Sequence, residues 1–107
     1  MTTEEALHAL TTAMEDAAEA ENAADRAEAL RKRVFAEVVN HATQGGTPVS
    51  KAEYAARADQ RFIAADNEAI DARSAANIAK AKAEGLKLRF EAWRTRNATR
   101  RAEMNLR

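Results

Sequence analysis

The sequence contains no cysteine, a single proline and three glycines in 107 residues. Without cysteine there is neither a disulfide frame nor a thiolate for nucleophilic or metal chemistry. Apart from Gly85, the strong helix breakers gather in one place, Gly45, Gly46 and Pro48. Aromatic residues make up only 5% of the chain, too few to fill a wide core. No apolar run approaches the roughly 18 residues that cross a membrane, so no membrane partner is expected. Glu4 and Glu5 near the start, with no basic region, do not read as a secretory signal. The expected setting is therefore intracellular.

What is abundant is alanine. The apolar fraction is 46%, yet 28 of those residues are Ala. Together with much Glu, Lys and Arg, this composition suits a thin, all-α assembly in a single domain over residues 1–107. The formal net charge is zero but unevenly spread. Residues 1–30 hold eight carboxylates against Arg26, and the remainder carries a matching basic excess.

The strongest pattern runs through Phe62, Ala65, Ala69, Ala72, Ala76, Ala79, Ala83, Leu86, Phe90 and Trp93, at alternating steps of three and four. A repeat every 3.5 residues marks a coiled-coil seam, and alanine there permits close backbone approach. A first helix is expected over 3–43, capped by Thr2 or Thr3 with Glu4 and Glu5 in its first turn. A turn over 44–49 follows, then a second helix over 50–105. Ser50 with Glu53 reads as its capping box, and Val49 with Tyr54 as a hydrophobic staple. Gly85 costs about 1 kcal/mol relative to alanine but need not end the helix.

Folded back at the turn, the two helices form an antiparallel hairpin about 60 Å long. One register sets Leu7 against Leu86, Leu10 against Ala83, Met14 against Ala79, Ala17 against Ala76 and Ala24 against Ala69. The same register sets Phe35 against Ala58 and Val38 against Ala55. Glu21, Glu28 and Arg31 interrupt it, so the contact is expected to drift toward Ala20, Ala27, Leu30 and Val34, with the glutamates paired to arginines. In this register Thr3 meets Phe90, and residues 91–107 overhang without an intrachain partner. Ile63, Ile70 and Ile78 lie off the seam, which points to a homo-oligomer forming a helical bundle.

No constellation for catalysis is present. Glu5 with His8 and Glu37 with His41 sit at opposite ends of one helix, whereas a di-iron site needs its ligands at one level. Gly45-Gly46 lacks the strand and lysine of a phosphate loop. Asn97-Ala98-Thr99 is a glycosylation sequon without a secretory context. The expectation is a non-enzyme with no cofactor, no metal and no small-molecule substrate. The candidate binding residues are Arg89, Phe90, Trp93, Arg94, Arg96, Arg100, Arg101 and Met104. Guanidinium forks suit phosphates and aromatic faces stack on bases. Aromatics at heptad spacing also pack against protein, so a protein interface and a nucleic-acid contact both stand.

The ending Phe90-Glu91-Ala92-Trp93-Arg94-Thr95-Arg96-Asn97-Ala98-Thr99-Arg100-Arg101-Ala102-Glu103-Met104-Asn105-Leu106-Arg107 resembles the C-termini of small, Ala- and Glu-rich helical proteins of tailed phages and prophages. Trp93-Arg94 and Thr99-Arg100-Arg101-Ala102-Glu103-Met104 carry the likeness. It implies a phage or prophage origin more than an activity, and no site residue follows from it. The expected function is that of an accessory protein in the cytoplasm of a bacterial host, acting by binding in DNA recombination or replication. The alternative is an interaction factor that blocks or redirects a host protein without touching DNA.

Overall fold

A computed structural model describes residues 2–106. Three helices follow in order: α1 (Thr3–Gln44), α2 (Val49–Arg57) and α3 (Gln60–Asn105). The chain is an all-α antiparallel hairpin, with α1 in one arm and α2 and α3 in the other. It is a rod measuring 86 × 20 × 15 Å. Its radius of gyration is 23.7 Å, against about 13 Å for a compact chain of this size. The short dimensions hold two helices side by side and no second layer.

The start of α1 follows the expected chemistry. Thr2 Oγ1 accepts from the Glu5 N–H at 3.1 Å, and Glu5 Oε2 accepts from the Thr2 N–H at 3.2 Å. This reciprocal pair satisfies two otherwise orphaned donors. The other end closes on glycine. Gly46 takes φ 96°, a left-handed conformation that side chains rarely adopt. The Thr47 N–H then reaches Ala42 O and the Gly46 N–H reaches Thr43 O, both at 3.1 Å, as in a Schellman stop.

The second arm departs from expectation in two places. Pro48, and not Ser50, is the N-cap of α2, with no side-chain capping bond. Helical geometry begins at Val49 because proline sets the entering φ and lacks the N–H that a cap must satisfy. Val49 and Tyr54 are both exposed and make no staple. More consequential is the break between Arg57 and Gln60, in what was expected to be one helix over 50–105. Asp59 is extended, and its Oδ1 accepts from the Arg61 N–H at 2.8 Å, which starts a new helix. Aspartate competes poorly for helix interiors and well for caps.

That break alters the register. Arg57 stacks over the Phe35 ring at 5.8 Å, and Phe62 packs edge-on against the same ring at 5.4 Å. Five residues across the bend therefore serve one level of the rod. Phe35, expected opposite Ala58, meets Phe62 instead, and α3 runs about one turn behind the anticipated alignment. Ala55 and Ala58 are exposed, while Ala52 and Ala56 are buried. On α1, Leu7, Met14 and Leu30 fall outside the seam, and Ala13, Ala24 and Val38 are its buried residues. The α3 stripe holds throughout: no residue from Phe62 to Trp93 on that line is exposed. The core is Ala13, Ala24, Ala52, Ala56, Ala65, Ala69, Ala76, Ala83 and Val38, with no large side chain fully buried. Small residues allow the closest helix spacing.

Candidate functional site

Two polar features stand out. The first is internal. Arg73, midway along α3, donates to Glu28 Oε1 and Oε2 at 2.9 and 3.0 Å, to Glu21 Oε1 at 2.9 Å and to Asp25 Oδ1 at 2.9 Å. Lys80 Nζ sits 2.8 Å from Glu21 Oε2, an ion pair not aligned as a hydrogen bond. Contact with Lys80 and then with Arg73 holds the Glu21 carboxyl below its ordinary range. The Arg73 hydrogen bonds do the same for Glu28, and the three carboxylates push the Arg73 guanidinium further up. Both glutamates thus stay ionised near neutral pH and have no proton to donate. The cluster is a register clamp.

The second feature is the end of α3, where all the candidate binding residues lie. Helical geometry turns about 100° per residue. Arg89, Arg96 and Arg100 therefore flank one side of a line through Phe90, Trp93, Asn97 and Met104, and Arg94 and Arg101 flank the other. All five arginines share an arc of about 160°. Glu91 lies across the helix from that arc, and Glu103 at its margin. Among the described residues none of these arginines forms an ion pair, so their charge is available.

The aromatic pair is placed differently from expectation. Because of the one-turn slip, the start of α1 reaches past Phe90. Trp93 is half-buried and lines, with Thr2, Ala6 and Ala9, a cleft of about 220 Å³. Thr3 and Leu7 line a second cleft of about 470 Å³ with Phe90, Trp93, Arg94 and Arg101. Phe90 and Trp93 stack on each other at 6.0 Å with planes 27° apart, and Arg94 lies over the Phe90 ring at 5.9 Å. The free overhang therefore begins after Asn97 and not at residue 91; every described residue beyond Asn97 is exposed. Arg100, Arg101 and Met104 stand on that exposed segment, Arg101 still bordering the cleft lined by Thr3 and Leu7, whereas Phe90 and Trp93 are half-buried beside α1. Sequence reasoning missed this split because it missed Asp59.

Among the described residues no three of His, Cys, Asp and Glu come together as a metal site. No helix among the described residues is long and apolar enough to cross a membrane. Comparison with protein-family models, curated proteins and solved structures finds no match.

Proposed function

We propose that this chain is a non-enzymatic accessory protein of a tailed phage or prophage, a homo-oligomer in the cytoplasm of the bacterial host. It acts by binding DNA in recombination or replication. The observation that carries this reading is the gathering of Arg89, Arg94, Arg96, Arg100 and Arg101 on one arc without acidic partners. Guanidinium groups so arranged fit a line of phosphates. With Phe90 and Trp93 packed on α1, contact is to the backbone and not to stacked bases, which makes it indifferent to sequence.

Binding of this kind weakens steeply with salt, because each neutralised phosphate releases counterion. Fluorescence anisotropy on single- and double-stranded oligonucleotides, at about 50 and about 200 mM salt, tests it. Changing Arg94, Arg96, Arg100 and Arg101 to Gln should abolish binding and leave helicity intact. No DNA retention at about 50 mM salt would leave the second reading, an interaction factor for a host protein. That reading is favoured by the apolar clefts beside Trp93, and a pull-down from infected cells with Trp93→Ala as control addresses it.

A further inference from the structure

The outer face of α3, turned away from α1, is uncharged along almost its entire length. At about 100° per residue, Ile63, Asn67, Ile70, Ser74, Asn77 and Ala81 share a line diametrically opposite the buried alanines of the hairpin seam. Gly85, Leu88, Ala92, Thr95 and Thr99 continue it. In a chain with 32% charged residues, such a line is a packing face with no partner in the hairpin. Ile63, Ile70, Ile78 and Leu88 on and beside it are 37, 56, 69 and 57% exposed.

Two independent observations show that the face is fitted for close contact. Thr95 Oγ1 donates to Glu91 O and Thr99 Oγ1 to Thr95 O, both at 3.0 Å. Their hydroxyl protons are satisfied within the helix, so burying these two threonines would orphan no donor. Gly85 sits mid-helix where an added Cβ would meet nothing within 4 Å. Nothing in the hairpin requires glycine there, and its lack of a side chain leaves room for close approach of another backbone.

We propose that this face closes a homodimer in which α3 packs antiparallel on α3 of a second copy, about a two-fold axis at Ala81. The inference rests on the self-association in the reading above and not on DNA contact. The occupant follows from self-complementarity, since the spacing of the line is symmetric about Ala81. In that register Ile63 meets the partner's Thr99, Ile70 the partner's Ala92, and Leu88 the partner's Ser74. Asn67 meets the partner's Thr95 and Asn77 the partner's Gly85, so each larger side chain faces a smaller one. A parallel pairing would set each isoleucine on its own copy. At the flanks, Asp71 comes beside the partner's Arg89 and Glu84 beside the partner's Lys80, while Lys80, paired to Glu21 within its own hairpin, and Lys82 each approach their counterparts. The strip is about 54 Å long and about 10 Å wide on each copy, on the order of 1,000 Å² in all, the lower edge of a specific interface.

The absence of native cysteine makes the register directly testable. Ala81→Cys should form an interchain disulfide readily, because residue 81 faces its own copy within bridging distance. Ile70→Cys alone should not crosslink, but mixed with Ala92→Cys it should give the heterodimer. Ile70→Glu with Ile78→Glu, both at exposed positions, should leave helicity unchanged and raise the dimer dissociation constant about 100-fold by sedimentation equilibrium. A wild-type monomer at tens of micromolar, on the scale of weak association, overturns this inference and the self-association together, while DNA binding is scored separately. A dimer that survives the double glutamate variant, or lacks the Ala81→Cys crosslink, overturns this face and leaves self-association standing.

Discussion

Arg73 reaches three carboxylates spread over two turns of α1, and this fixes how the helices slide. Alanine seams are nearly uniform, so neighbouring registers differ little in apolar contact, and a polar clamp breaks the tie. The pH dependence follows from the sign of the shifts. Glu21 and Glu28 are held below their ordinary value of 4.5 in the fold. Their stabilisation is present above that value and lost as the pH falls through the lower folded one. Circular dichroism melts from neutral toward acid should show stability falling below that range. In Arg73→Gln, carboxylates crowd without their main cation, so acid should relieve repulsion and the fall should shrink or reverse. Gly85→Ala is expected to raise helix stability by up to about 1 kcal/mol in the Ile70→Glu, Ile78→Glu monomer, since the added methyl has open space.

Among the elements, the second arm depends on Asp59. With its carboxylate capping α3, the chain bends and α3 reaches one turn less far along α1 than a continuous helix would. Asp59→Ala removes the cap and should cost about 1 kcal/mol, read from chemical denaturation. It also favours fusion of α2 and α3, and the Phe35–Phe62 contact at 5.4 Å should loosen. The seam itself tolerates no bulk. Ala76 is fully buried, and Ala76→Leu should push the arms apart at a cost of about 1–3 kcal/mol. An unchanged midpoint would mean the arms are not closely packed there.

Across the whole molecule, one rod offers three separate surfaces: the acidic flank of α1, the uncharged back of α3 and the arginine end. Two-fold pairing about Ala81 would set the two arginine ends on opposite halves of the paired rod, each alongside the second arm of the other copy. On the proposed DNA reading one chain would offer only a few phosphate contacts, and two ends acting together would raise retention by avidity. Truncation after Asn97 removes Arg100, Arg101 and Met104 but spares Phe90 and Trp93 on α1. It should weaken DNA retention and flatten its salt slope without changing the thermal midpoint. A midpoint that drops with the truncation would place those residues in the fold and not on its surface.

The hairpin was legible in the residues themselves. A 3.5-residue stripe from Phe62 to Trp93, a glycine pair followed by proline, and carboxylates after Thr2 each act over a turn or two, and local steric and hydrogen-bonding preferences decide them. The arginines of the candidate site were legible for the same reason, since helical spacing alone gathers them on one arc. Register was not legible. It depends on where the chain bends, and Asp59 is one capping residue in a long run of good helix formers, a signal easily outweighed by the helical pattern around it. Its effect appears only when α3 is laid against α1: Phe35 finds Phe62, Arg73 finds Glu21, Asp25 and Glu28, and Trp93 comes to line a cleft with Ala6. Only the tertiary structure decided which aromatics are packed and which arginines are free, because that depends on where α1 ends along α3.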